Sequence, residues 1–370
     1  MKFKLPKSRL GNCLQNVLQV VPTKSTLPIL TNVLIEALDN KLKVSATDLD
    51  VSITESLECD VSKKGSASVP ARILADIIKE IPESEIVIEV TTSRMEIKIP
   101  NGSYKIGTVS ADDFPKLPVI NTKKEIKIAG NDLIHMITRS TFACSDDETR
   151  PALNGILWQT KGEKMQMVAT DGHRLAKVAV ENKKLRGLNE DVIIPPKVLN
   201  LIPKLQADPQ ADVGIIFGEN NIIFNMENTI LTSRLIEGPY PNFEQVIPKS
   251  NDKNLRISKT DLTGAVRRVS ILSNALTHQV KFTAKEGTLT LSTTNADMGG
   301  EGKEVLECDY DGDDIEMGYN ANYVNDILGK MEGDEVIFEL STPVAAGVVY
   351  SPETPRDDFL CLIMPLRLAD

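Results

Sequence analysis

Two landmarks recur along this 370-residue chain at nearly one period, and no other feature narrows its possible folds as far. Asp48, Asp171 and Asn295 each sit at a turn after an alternating apolar run, and they lie 123 and 124 residues apart. Pro70, Pro195 and Asn320 each open a stretch of helical periodicity, and both intervals are 125 residues. Two independent markers that keep one spacing indicate a unit repeated three times, because each unit must be built by the same order of elements. Domains are expected at 1–121, 122–250 and 251–370, each near the usual domain size.

Within each copy the order is the same. Apolar residues at helical spacing predict helices over 7–21, 131–143 and 260–274. Alternating runs follow, among them 29–37, 42–46 and 51–57 in the first copy. A second helix is expected over 70–81, 194–205 and 320–331, and further alternating runs close each copy. Two amphipathic helices beside many short antiparallel strands make the class α+β.

The middle turn reads ATDGHRLA over 169–176. Asp-Gly between apolar alternations is a tight hairpin signal, so His173 and Arg174 are expected just beyond a turn. Asp171 and His173 invite a general-base reading. Against it, no Ser or Cys stands in a nucleophile context. A plain polar turn is the other alternative.

Composition restricts the setting. The chain is 41% apolar and 4% aromatic, and no run of eighteen apolar residues suggests a membrane helix. The opening MKFKLPKSRL lacks a secretory leader's apolar stretch and cleavage site. Five dispersed cysteines and three dispersed histidines suggest neither a disulfide framework nor a metal site. A reduced, cytoplasmic setting is expected.

The net charge of -10 argues against a nucleic-acid partner only while it is treated as uniform. The expected helices contain ten basic residues (Lys7, Arg9, Arg72, Lys79, Arg139, Lys197, Lys204, Arg267, Arg268 and Lys330) against five acidic ones. Cations concentrated on one class of element, opposite its apolar stripe, suit a polyanion. No aromatic residues interleave with them and no recognition helix appears, so contact with the backbone of duplex DNA fits better than sequence reading.

Taken together, ATDGHRLA, the threefold repeat, LPILTNVL and the terminal FLCLIMPLRL resemble the bacterial DNA polymerase III β subunit, the sliding clamp, over essentially the whole chain. The resemblance implies three DNA-clamp domains per chain and two chains closed head to tail into a ring around duplex DNA. It implies no catalytic activity, cofactor or metal. Helix packing agrees: six helices about 9 Å apart form a circle near 17 Å across, whereas twelve give about 34 Å and leave space for a duplex.

The implied partners are double-stranded DNA without sequence preference, a second copy of the chain, and short apolar peptides. Those peptides belong to the polymerase III catalytic subunit, the clamp loader, other polymerases and repair proteins; no membrane is involved. The matching peptide-pocket positions are Arg150, Leu153, Thr170, Gly172, His173, Arg174, Leu175, Pro241, Val246, Asn320, Tyr323, Val344, Leu362, Met364, Pro365, Leu366 and Arg367. Ala152 and Gln245 depart from some relatives, which carry an aromatic and a basic residue there. The DNA-facing set is Arg9, Lys24, Arg72, Lys79, Arg139, Lys197, Lys204, Arg267, Arg268 and Lys330. The ring is expected to close between Arg94, Lys98, Tyr104, Lys105 and Ile106 on one edge and Ile271, Leu272, Glu301, Glu304 and Glu307 on the other. A repeat-built interaction scaffold without DNA, and an enzyme using Asp171 and His173, are the competing readings.

Overall fold

The computed structural model describes residues 1–118, 125–182, 188–295 and 299–368. The expected boundary between 121 and 122 therefore lies outside the described residues, as do Ala369 and Asp370. The chain divides into two compact units, residues 1–134 with 197–235 and residues 135–196 with 236–370. These units do not coincide with the expected repeats, because sheets continue across the repeat joins. In the first unit, strand Thr229–Arg234 pairs with Val51–Glu58, and in the second, Arg174–Glu181 pairs with Phe359–Ile363.

The first unit holds a five-stranded sheet ordered Asp60–Lys63, Lys2–Pro6, Glu85–Val90, Arg94–Ile99, Gly102–Gly107. Its eight-stranded sheet runs from Ile126–Ala129 at one edge to Gly65–Pro70 at the other. The second unit holds a nine-stranded sheet with Arg174–Glu181 and Phe359–Ile363 near its middle. Its four-stranded sheet is ordered Gly300–Glu307, Thr288–Asn295, Gln279–Lys285, Ile315–Asn320. Residues Glu85–Val90 show why such runs become strands: Ile86, Ile88 and Val90 are buried while the residues between them are not. A period of two puts one face in the core.

The helices are α1 Lys7–Val17, α2 Ala71–Glu80, α3 Gly130–Ser140, α4 Pro196–Leu199, α5 Ile202–Leu205, α6 Lys259–Ser270 and α7 Ala321–Leu328. Leu10, Cys13, Leu14 and Val17 form the buried stripe of α1, and Leu262, Ala265, Val266 and Val269 that of α6. The helices expected over 7–21, 260–274 and 320–331 end earlier, at Val17, Ser270 and Leu328, and two further expectations need correction. The single helix over 194–205 is two short helices, because Pro203 lacks the N–H that a continuous helix would need and its ring crowds the carbonyl of Leu199. The strand expected from Ile29 begins only at Asn32, after a 3-10 turn over Pro28–Thr31.

The repeat is visible in hydrogen bonds. Asp48 Oδ1 accepts from the backbone N–H of Asp50 and Val51, at 3.1 and 2.8 Å. Asp171 Oδ1 accepts from His173 and Arg174 at 2.8 and 2.9 Å. Thr47 and Thr170 each donate a hydroxyl to the carbonyl four residues on. The residue after the Asp has positive φ in both turns, +82° at Leu49 and +90° at Gly172. Leucine is strained there and glycine is not.

Glu55, on strand Val51–Glu58, is buried and accepts from Asn16 Nδ2 at 2.8 Å. Burial raises its carboxyl pKa, against the lowering effect of the Asn16 bond. A raised folded pKa means that the cost of ionising Glu55 is absent below the ordinary carboxylate range. That cost appears in full once pH rises past the folded value. Glu55→Gln is therefore expected to raise Tm at pH 7.5, with the gain fading toward pH 4. A gain that persisted unchanged at pH 4 would show that ionisation is not its source.

Candidate functional site

On one face of the nine-stranded sheet, Leu157, Val168, Leu175, Ile193, Val348, Leu360 and Leu362 form an apolar floor with Phe243 packed on it. Alternation puts these residues on one side of their strands, and the segment around the 3-10 turn Phe243–Gln245 lies over them. Between that segment and the Asp171 turn opens a cleft of about 300 Å³. Nine of the expected pocket residues line it: Leu153, Thr170, Gly172, Arg174, Leu175, Pro241, Val246, Leu362 and Met364. Asn242 and Phe243 line it too. The sequence reading did not include them; the one signal it held was Phe243, a large apolar residue within the proline-flanked PYPNFEQVIP.

The other expected pocket residues are not in the lining. A Cβ built on Gly172 would come within 3.3 Å of Arg150 Nη1, so Arg150 stands just beside the turn. The His173 ring stacks on Tyr323 with centroids 6.4 Å apart. Asn320 caps α7, its Oδ1 accepting from the N–H of Asn322 and Tyr323. The Leu366 N–H bonds Gly318 O at 2.7 Å, and Arg367 O accepts from Gln279 Nε2 at 3.0 Å. Val344 is exposed, and Pro365 follows Met364 out of the last strand.

Arg174 organises this region. Its Nε donates to Asp171 Oδ2 at 3.1 Å, Nη1 to Asp326 Oδ2 at 2.5 Å and Nη2 to Phe142 O at 2.8 Å. The guanidinium carbon lies 4.4 Å from the Tyr323 ring centre and 5.4 Å from that of Phe142. Burial raises the Tyr323 phenol pKa, with Asp171 adding to the shift and Arg174 opposing it. The Cys144 thiol is pushed up to about 12, first by burial and then by Asp146 and Asp171. It is a neutral thiol at physiological pH. Asp171 spends one oxygen on the turn and the other on Arg174, which leaves its carboxylate engaged rather than poised as an orienting group for His173. An acyl-transfer constellation is not what these atoms form.

Sequence models for the three domains of the DNA polymerase III beta subunit match this chain, the N-terminal domain over 1–118, the central domain over 127–242 and the C-terminal domain over 244–367. The chain belongs to that family. It is 31% identical over 370 residues to the beta sliding clamp of Pseudomonas aeruginosa and 31% over 372 residues to that of Chlamydia pneumoniae, with 100% of each chain covered. The solved P. aeruginosa clamp bound to griselimycin superposes with a TM-score of 0.95 at 31% identity, covering 100% of both chains. A Bartonella birtlesii clamp bound to the same compound gives 0.94 at 34% identity, again with full coverage of both. The fold is thus that of three DNA polymerase III beta domains, mixed α+β with antiparallel sheets, and the family's work is DNA replication.

The expected DNA-facing cations of this sliding-clamp relative divide by environment. Arg9, Lys24, Arg72, Lys79, Lys197, Lys204, Arg267 and Arg268 are exposed, and Lys330 is partly so with Nζ 5.9 Å from the Phe142 ring centre. Lys197 is paired with Asp48, and Arg268 grips Glu304 through two bonds of 2.8 and 2.7 Å. Arg139 is a correction. It is only 5% exposed, pairs with Glu332 and lies 4.7 Å from the Phe359 ring centre, so it is an interior cation and not a DNA contact.

Of the expected ring-edge residues, Tyr104, Lys105, Ile106, Glu301, Glu304 and Glu307 lie on outer strands, Arg94 and Lys98 on the strand Arg94–Ile99 beside one of them, and Ile271 and Leu272 just past α6. Gly102–Gly107 ends the five-stranded sheet and Gly300–Glu307 ends the four-stranded one. Tyr104 and Ile271 are exposed, the latter 76%. Lys98 bonds Glu89 at 3.1 Å and Lys105 approaches Glu96 at 3.8 Å, while Arg94, Glu301 and Glu307 are exposed and Leu272 packs toward Gly300. Ile106 is the second correction: at 6% exposure it belongs to its own sheet's core and has no surface to offer.

Arg174→Lys keeps the charge but not the three-way fork, because an ammonium cannot satisfy three acceptors in one plane. We predict a stability loss of about 1–3 kcal/mol, as expected when charged hydrogen bonds are broken at a partly buried site. Urea unfolding measures it, and a variant as stable as wild type would remove Arg174 from its organising role.

Proposed function

We propose that this chain acts as a sliding clamp that encircles duplex DNA as a head-to-tail homodimer and tethers replication and repair proteins through the cleft beside the Asp171 turn. It works in the cytoplasm and without catalysis of its own. The observation that carries the reading is the cleft itself: aliphatic walls from Leu153, Leu175, Val246, Leu362 and Met364, with Thr170, Arg174 and Asn242 as its few polar lining residues. Few polar groups over an apolar floor are what an apolar peptide requires. Each of the segments 1–121, 122–250 and 251–370 serves as one domain of the ring.

Two further features support the ring. Gly102–Gly107 and Gly300–Glu307 are sheet edges with open hydrogen-bonding positions, one strand carrying Lys105 and the other Glu301, Glu304 and Glu307. Different edges joining in this way give a heterologous contact, which makes a closed ring when the rotation returns after two copies. The exposed cations Arg9, Arg72, Lys79, Lys204 and Arg267 stand on helices opposite their apolar stripes. Topological linkage supplies retention, so each phosphate contact can remain weak enough for sliding.

Retention on nicked circular DNA, followed by loss on linearisation, is the expected behaviour of such a ring. Retention that survived linearisation would point to ordinary binding, and no retention on circles loaded by a clamp loader would overturn the encirclement.

The cleft is testable separately. Val246 is 56% exposed, so Val246→Asp should leave the fold and the dimer intact. Placing a carboxylate in an apolar subsite is expected to weaken a polymerase-derived peptide at least tenfold, about 1.4 kcal/mol. Fluorescence titration with parallel sedimentation decides it; unchanged affinity would move the peptide elsewhere.

A further inference from the structure

A second cleft, polar and of about 550 Å³, is lined by side chains from the same nine-stranded sheet, among them Lys161, Lys164, Lys177 and Asp191, with Glu244. Lys177 lies two residues along its strand from Leu175, and so on the face that also carries the apolar floor. It is partly buried, and its Nζ enters no hydrogen bond or ion pair among the described residues. Lys161 and Lys164 are direct cross-strand partners at the end of their hairpin. Lys164 also faces Glu181 across the neighbouring strand, and like charges set opposite each other are destabilising unless anions share them. Among the described residues Lys164 Nζ donates only to Asp357 O, at 3.5 Å.

We propose that Lys177 is an acylation site that takes the acyl group of a small acyl phosphate, with Lys161 and Lys164 receiving the phosphate. The neutral amine of Lys177 attacks the acyl carbon, and a C–N bond forms. The bond from that carbon to the phosphate oxygen breaks with its electron pair leaving on phosphate. The phosphate carries away the proton lost by nitrogen, and no oxidation or reduction occurs.

The surroundings favour the neutral amine. Burial holds the Lys177 ammonium below the ordinary lysine range, and Lys164 adds to the effect; Asp357 and Glu244 oppose it, and Arg356 reinforces it. Asp191 and Lys161 complete the charged groups of the cleft. A lysine whose pKa falls has a larger free-base fraction at neutral pH. Nucleophilicity falls less steeply with pKa, with a slope of about 0.4–0.5 for the analogous thiols.

The test incubates the full chain with acetyl phosphate and follows each lysine by peptide mass spectrometry. Lys41 and Lys249, both exposed, are the references. At pH 7.5 acetylation of Lys177 is expected to be about five-fold faster than at either reference, a margin that narrows as pH rises and the exposed amines lose their protons. Lys177→Arg should remove the modified peptide and so verify its assignment. Lys164→Gln should slow the reaction with acetyl phosphate more than with an N-hydroxysuccinimide acetyl ester, which has no phosphate to receive. Rates at Lys177 no greater than at Lys41 and Lys249 would overturn the site. Equal slowing with both reagents would overturn the phosphate-receiving role of the lysine pair.

Discussion

The second unit depends on how one guanidinium is satisfied. Arg174 is largely removed from water, and a buried charge is costly unless its donors are all engaged. Asp171, Asp326 and Phe142 O engage them, and Tyr323 and Phe142 cover its faces. These partners come from the turn itself, from α7 and from the 3-10 turn Thr141–Ala143 that follows α3. The cation therefore joins pieces of chain more than 150 residues apart in sequence, and the cleft wall that it lines is held by the same bonds.

The first copy of the turn shows what makes the middle one special. Both turns use an Asp oxygen for two backbone N–H groups and a Thr hydroxyl for a carbonyl. Three residues after the Asp, the first copy places a buried Val51 and the middle copy places Arg174. One residue after it, Leu49 occupies the positive-φ position that Gly172 takes in the middle copy. The second change removes a side chain from the rim of the cleft, and the first supplies its cation. Two positions thus distinguish the middle turn from the first, without altering the turn's own hydrogen bonds.

The interior cation Arg139 follows a related logic with a different outcome. Burial lowers its pKa while Glu332 raises it, and the Phe359 ring covers it. Such a cation is held inside the fold by its carboxylate and aromatic neighbours and is not presented to solvent. Lys197 and Arg268 are intermediate cases: both are exposed, yet each already has a carboxylate partner in its own chain. Exposed pairs of this kind are weak and readily exchanged, so a phosphate can compete for either cation.

Much was legible in the sequence because it was local. The α+β class and the Asp turn are encoded by residues within a few positions of each other, and the repeat shows as the recurrence of such local signals; even the break at Pro203 has a local cause, though periodicity alone overlooked it. The apolar members of the cleft could be named through the family resemblance, since strand alternation put Leu175 and Leu362 on an inward face. Tertiary structure alone decided the environment of the polar and borderline groups. Arg139 sits on the helix face expected to meet solvent, but Glu332 and Phe359, some 190 residues or more away, enclose it. Ile106 turns into its own sheet, and Phe243 folds over the floor to become a wall. Periodicity reports which way a side chain points from its own element; which distant element waits there is a property of the assembled fold.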